Sequence, residues 1–511
     1  MSASVKYTYR LISLLVSTSV LAGCTTTRQA PSAKMELPDR FITGSVKPMV
    51  STPGYSAFWK QFNDPVLDQL ILRGLVENTS IQQARHRLDI ANIQEILAAS
   101  GYLPQLRLGA SASAISDNST GPRLRGTSVG ANGSFSWLVD IFGGGKAARR
   151  GALANSQAAA DNIEFVRLAY LTDLIITYIE YRYSDEAIAI SKRNLGSFSR
   201  TLSLTREMRE AGTATNLDVA QAQALVDDAR AQIPPLEVDR QQAVNHIAAL
   251  LGIPNTSVAA LVKKKSGQPR MGKLPESGVP ADLLRHRPDI RREERLLAAA
   301  AERIGVVRSR LYPSLTLDGT IDISRLIVSG FTGSAVALAF GPSVVAPVLD
   351  GGRLRAEVDL AAAESRVQYL AWKDAVLKAV EEVDNAIVAI NRGRAENAAL
   401  SRKVASYQAA LKLARESYTG GTGLILDVLE ADRSLGAARL DLADSTRRNA
   451  INLIRLYIAI GSGAAFDPVV SARAPRVDPV TTASTASAFP PRPKPRLNDA
   501  TARKTDEAKT R

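Results

Sequence analysis

The sequence predicts a mainly α-helical protein with a β-barrel part, built by using one unit twice. Three observations carry that prediction. Motifs recur at a fixed shift of 209 residues: Gly212, Asp218 and Ala222 in MREAGTATNLDVAQA fall on Gly421, Asp427 and Ala431 in the later stretch ESYTGGTGLILDVLEA. Pro104, Leu106 and Leu108 fall on Pro313, Leu315 and Leu317 at the same shift. Prolines are absent between Pro122 and Pro234 and again between Pro347 and Pro468, which leaves room for very long helices because proline breaks helix interiors. Between the helical stretches the hydrophobic period drops to two, the signature of strands.

Composition sets the limits. A chain of 511 residues holds two or three ordinary domains or one elongated one. Its 45% hydrophobic but only 5% aromatic content suits tightly packed long helices. The net charge of +14 invites an anionic partner, but the basic residues are scattered among acids and an export signal precedes them, so nucleic acid is excluded.

That signal occupies residues 1–23. Lys6 and Arg10 precede the apolar stretch Leu11–Val20, too short to persist as a membrane span. Leu21-Ala22-Gly23-Cys24 follows and resembles the lipobox of bacterial lipoproteins. Cys24 is the sole cysteine, which excludes disulfides and cysteine metal sites and makes it the expected lipid attachment point. With Thr25 rather than aspartate next, the resemblance implies the outer membrane. Residues 24–56, with Pro31, Pro38, Pro48 and Pro53, read as a lipidated tether.

The first repeat, 57–252, opens with a helix from Phe58-Trp59 to Leu97. Leu106, Leu108, Ala110, Ala112 and Ala114 then alternate with small or polar residues, and Val129, Ala131, Phe135, Trp137 and Val139 do so more clearly. One apolar face and one wet face is the pattern of a membrane barrel. A helix to Glu210, a turn at Gly212, and a descending helix to Leu250 complete the unit. A Gly/Pro-rich linker spans 253–281.

The second repeat, 282–463, runs in the same order. A helix starts at Pro288, a favoured first-turn residue. Leu315, Leu317, Ile321 and Ile323 form a third strand, and a fourth around Val336, Leu338 and Phe340 is expected to be interrupted by Pro342 and Pro347. The helix from Arg353 to Tyr418 is expected to be the longest, about 100 Å at 1.5 Å per residue. Its seven-residue seam of Val383, Ile390, Asn397, Val404, Leu411 and Tyr418 requires a coiled-coil partner. Residues 464–511 read as a disordered, basic Pro/Ala-rich tail.

Four strands cannot close a barrel, and open edges do not occur in lipid; the chain must pool strands with copies of itself. Long helices would hang from that barrel, with Gly212, Gly420, Gly421 and Gly423 turning at the far end. That describes a conduit.

Several motifs match a known family in order: Trp59 with Phe62 and Asp64, Tyr102 to Pro104, Trp137 to Gly145, Leu283 to Ile290, Tyr312-Pro313, Leu349 to Arg353, Tyr418 to Ala431 and Gly461 to Gly463. On these the chain resembles the TolC-type outer membrane efflux factors, in particular their lipidated branch. The resemblance implies a homotrimer with a twelve-stranded barrel and an α-helical periplasmic tunnel. It would be a passive exit duct for small molecules, fed by an inner membrane pump through a periplasmic adaptor. The alternatives are a conduit for type I protein secretion or a structural coiled-coil envelope lipoprotein. The resemblance also implies a periplasmic gate: Asp427 and Glu430 match ring positions, Tyr418 and Asp218 a linking pair, and Arg433 a basic position of the lipidated branch. Where some members carry arginine this chain has Gly423, so that link is missing. Carboxylate rings should raise their own pKa values and favour cations; the simpler reading is that both acids complement a helix N-terminus.

Other chemistry finds no support. Gly143 to Lys146 lacks phosphate-loop spacing and reads as a strand-to-helix junction. His86, His246 and His286 are isolated, so neither a metal nor any cofactor beyond the lipid is expected, nor an enzyme. The run Arg285, Arg287, Arg291, Arg292 and Arg295 reads as a solvated helix face or an adaptor contact. Trp137, Phe142, Tyr312 and Phe340 fit an interfacial girdle or ordinary packing.

Overall fold

Alternating apolar and polar residues build one antiparallel sheet of four strands in sequential order, β1 (Gln105–Asp117), β2 (Leu124–Val139), β3 (Ser314–Val328) and β4 (Phe331–Val345). The computed structural model describes residues 53–117, 124–263, 267–269, 287–328 and 331–462. The leader, Cys24, most of the tether and linker, Arg285, His286 and the tail lie outside the described residues.

Register decides the two faces. Leu106 stands opposite Phe135, Ala110 opposite Ala131, Ala131 opposite Ile323 and Ile323 opposite Val336. Partners share a face, so these residues, with Trp137, Leu317, Ile321, Leu338 and Phe340, make one continuous apolar surface. Ser134, Asn132, Thr320 and Asp322 fall on the other face. The fourth strand is not interrupted: Pro342 pairs with Leu317 inside β4. Within the chain β4 ends the sheet, and Pro342 keeps its place in the β3–β4 ladder.

Nine helices of the described residues carry the rest. Before β1 lie a 3-10 segment, Pro53–Phe62, then α1 (Pro65–Glu77) and α2 (Thr79–Ser100). The sequence suggested one helix here, but Asn78 ends α1 and caps α2, accepting from the Ile81 N–H at 3.0 Å while its Nδ2 donates to the Leu250 carbonyl at 2.9 Å. Asp64 caps α1 through the Val66 and Leu67 N–H groups and accepts from the Tyr178 hydroxyl at 2.7 Å. The first repeat continues with α3 (Gly144–Glu210), α4 (Asn216–Ala231), α5 (Ile233–Leu251) and α6 (Asn255–Val262). Its descending helix divides at Gln232, next to Pro234 and Pro235. Proline is accommodated in a first turn and not in an interior. The second repeat supplies α7 (Pro288–Ser309), α8 (Arg353–Thr419) and α9 (Ile425–Ala459), the last unbroken.

The two long helices are equal at 67 residues each, about 100 Å at 1.5 Å per residue; α8 is not the longer. Its seam is real: Val383, Ile390 and Leu411 are buried, and Asn397 donates to the Thr446 hydroxyl of α9 at 3.2 Å. The main core joins α1, α3, α5, α8 and α9 around Trp59, Leu171, Ile175, Tyr178, Ile247 and Ile454. A second core at the far end gathers Phe198, Leu202, Val226, Leu411, Val428 and Leu435. No single described helix is long and apolar enough to cross a membrane.

Candidate functional site

The two tips are the same turn made twice. At the first, the Thr213 N–H donates to the Met208 carbonyl at 2.9 Å and the Gly212 N–H to Arg209 at 3.0 Å. At the second, Thr422 donates to Ser417 at 3.0 Å and Gly421 to Tyr418 at 3.1 Å. This paired pattern closes a helix on a left-handed residue, and Gly212 and Gly421 have φ of 80° and 75°. Gly420 differs: its φ of −79° is ordinary helix, the conformation Ala211 adopts at the matching place. At Gly423 a Cβ would lie 2.9 Å from that of Ser417. The second tip is therefore folded tightly at Gly423.

The tip acids are engaged within the chain. Asp218 forms a full capping box, accepting from the Thr215 N–H at 2.8 Å and its hydroxyl at 2.7 Å. Asp427 holds the matching place and accepts from the Leu424 N–H at 3.4 Å. Glu430 accepts from both Nε and Nη2 of Arg433, at 3.0 and 2.7 Å, and from Ser434 at 3.0 Å. The guanidinium beside it holds the Glu430 carboxyl below its usual range, opposite to the rise that a bare ring of carboxylates would cause. Asp427, Glu430 and Arg433 are all exposed. Tyr418 lines a groove of about 230 Å³ with Arg200, Leu204 and Val428, and burial, then the nearby Asp218 charge, raise its pKa. No hydrogen bond joins Tyr418 to Asp218, whose carboxylate is spent on its own cap.

The residues that do link the helices escaped the sequence reading. Asp432 on α9 is 4% exposed and collects four donor contacts. Ser197 reaches both its oxygens at 3.0 Å, Thr201 donates at 3.2 Å and Arg415 at 3.1 Å. Arg415 also donates to Ser197 at 2.9 Å. This clasp ties α3 of the first repeat to α8 and α9 of the second, just behind the tips. Sequence signals for it are faint, because no spacing rule relates positions 235 apart.

Arg287, Arg291 and Arg292 of the 285–295 run brace the middle of the molecule instead of forming a free basic face, while Arg295 is exposed. Arg287 is buried, donates to the Ala459 carbonyl at 2.9 Å and pairs with Asp289 and Glu382, each at 2.8 Å. Arg291 pairs with Asp161 at 3.0 Å and with Glu164, and Arg292 lies over the Phe165 ring at 4.8 Å. Near the helical end of the sheet, Phe142 stacks on Tyr312 at 4.7 Å and the Trp137 Nε1 donates to the Tyr102 carbonyl at 3.1 Å. No cluster able to hold a metal occurs among the described residues.

Comparison with known proteins agrees with this architecture. The family described as outer membrane efflux protein matches the chain twice, over residues 70–253 and 279–462, at the same offset of 209 that the motifs show. Nodulation protein T of Rhizobium leguminosarum bv. viciae is 37% identical over 475 residues, covering 92% of this chain and 97% of that protein. The toluene efflux pump outer membrane protein TtgF of Pseudomonas putida is 29% identical, covering 79% and 84% of the two chains. The solved outer-membrane channel OprN superposes with a TM-score of 0.74 at 26% identity, over 84% of this chain and 99% of that one.

Proposed function

The chain belongs to the outer membrane efflux protein family, and from that premise we propose that three copies close into one duct that passes small organic molecules delivered by a periplasmic adaptor and an inner membrane pump. One observation carries this reading: sheet and helices are arranged in the same order and end in unpaired edges. The strands run β1, β2, β3, β4, and the helices joined to them pack α2 on α3, α3 on α7 and α7 on α8. β1 and β4 each leave an edge unpaired. The outer helices leave apolar stripes, Ile90, Ile93 and Leu97 on α2 against Leu360, Val367, Leu370 and Leu377 on α8. A second copy covers both at once, its α2 against α8 and its β1 against β4. Such head-to-tail contacts make a ring when the rotation closes, and lipid requires that it close.

The apolar face then meets lipid and the polar face lines the pore. Transport is downhill through the duct; the driving energy belongs to the pump. Asp427, Glu430 and Arg433 ring its narrow end, with Tyr418 in the adjoining groove. Removal of residues 1–23 and a lipid on Cys24 add a second hold on the outer membrane. Cargo is assigned from the kinship to a toluene efflux component and to a pyoverdine export protein, as small organic molecules. The test is mass in detergent, by light scattering, for wild type and a Val367→Glu, Leu370→Glu variant. Wild type at three times the chain mass and a monomeric variant support the reading; a monomeric wild type refutes it.

A further inference from the structure

The apolar face of the sheet does not end in apolar residues. Along β3 it reads Leu315, Leu317, Gly319, Ile321, Ile323 and then Arg325. Arg325 stands between Val129 of β2 and Ser334 of β4, and the next row is Thr127, Ile327 and Thr332. Arg325, Ser334, Thr127 and Thr332 are all exposed. Among the described residues none pairs with the Arg325 guanidinium, and the acids of this strand, Asp318 and Asp322, fall on the opposite face.

The height of Arg325 is informative. From Leu315 it is about 34 Å along the strand at 3.4 Å per residue, hence about 26 Å along the barrel axis at a tilt of about 40°. The apolar band of a membrane barrel is about 25 Å tall. Aromatic residues, Trp137 and the Phe142–Tyr312 stack, mark its periplasmic edge, so Arg325 marks the outer one. A lipid-facing guanidinium is penalised at mid-bilayer and tolerated at the boundary, where the groups within reach are lipid phosphates. Guanidinium binds phosphate through two parallel hydrogen bonds, and Ser334, directly across the ladder at about 5 Å, offers a hydroxyl donor beside it.

We propose that Arg325, with Ser334 and Thr332, is a binding site for the phosphate of an outer-leaflet lipid head group, one per protomer, with the acyl chains on the apolar rows below. The proposal rests on the outer membrane barrel reading. Its test is native mass spectrometry of the full-length protein after exchange into lipid A carrying its phosphates, dephosphorylated lipid A, or a phosphate-free diacyl glycolipid. Wild type should retain the phosphorylated form about fivefold over the dephosphorylated one, the effect of one arginine at an anionic surface. Arg325→Gln should abolish that preference while retaining the phosphate-free diacyl glycolipid as wild type does, and Arg325→Lys should keep part of it. A preference unchanged by Arg325→Gln overturns the site. Displacement of the phosphorylated lipid by millimolar inorganic phosphate would overturn the lipid as its source. Failure of both wild type and variant to retain any lipid would instead refute the barrel reading beneath it.

Discussion

Neutralising Asp432 and Arg415, singly and together, tests whether the clasp holds the tip. Three donors surround a carboxylate that is 4% exposed. Asp432→Asn keeps the shape and one acceptor oxygen but loses the charge, and the two hydroxyls retain other partners: Thr201 donates also to the Ser197 carbonyl at 3.2 Å, and Ser197 accepts from Arg415. Arg415 is 42% exposed and rehydrates, so the loss is about 1.5 kcal/mol, the lower range for a hydrogen bond to a charged group. Arg415→Gln is worse, because it strands a buried carboxylate on two hydroxyls; removing one partner of a buried pair costs about 3 kcal/mol. Once Asp432 is asparagine nothing is stranded, so the double variant should fall short of the sum by about 1–2 kcal/mol. Because the clasp joins helices of both repeats, these energies appear as a shift toward open dwell times in single-channel records. The expected closed-to-open ratio falls about tenfold for Asp432→Asn and about a hundredfold for Arg415→Gln, at tenfold per 1.4 kcal/mol. Additive effects, or an Arg415→Gln milder than Asp432→Asn, would refute the reasoning.

Gly421→Ala should cost about 1–2 kcal/mol, because φ of 75° is left-handed and nothing else opposes a methyl there; amide exchange at the tip should quicken, whereas Gly420→Ala, in ordinary helical conformation, should leave it unchanged. Arg433→Gln should raise cation selectivity at neutral pH by freeing Glu430, read as a reversal potential. The carboxyl of Glu430 is held below its ordinary value by Arg433, so its charge persists above that value and is lost as pH falls through the lowered one. In the variant the loss should occur at higher pH; identical titrations would show that Arg433 does not govern Glu430.

The fold was legible wherever a short-range rule produces it. Strands β1 to β4 follow from alternation, α3 and α8 from missing prolines, and the tips from a glycine placed before an acidic first turn. Breaks were harder to see. Asn78 reads as one polar residue in a helical stretch, and only its bonds to Ile81 and Leu250 reveal a cap serving two helices. Pro342 suggested an interruption because a proline reads as a break until the register shows it paired with Leu317. At the tip, Gly212, Gly421 and Asp427 were visible through the repeat, whereas Glu430 falls on Gln221 and came from its spacing to Asp427 and the family resemblance. Asp432 was not, because a buried charge is identified by its partners, and these lie on α3 and α8. The arginine run misled for the same reason: Arg287 reads as solvent-facing until Ala459 and Glu382 are placed beside it.

The central claim is a duct constricted by the acids of its second tip, and single-channel conductance of the purified protein in a planar bilayer tests it most directly. Wild type should show a small, cation-selective conductance. An Asp427→Ala, Glu430→Ala double variant should conduct more and lose selectivity, because the charge that favours cations at the narrow end is gone. A folded wild-type protein that conducts nothing, or a variant with unchanged conductance and selectivity, would contradict the account.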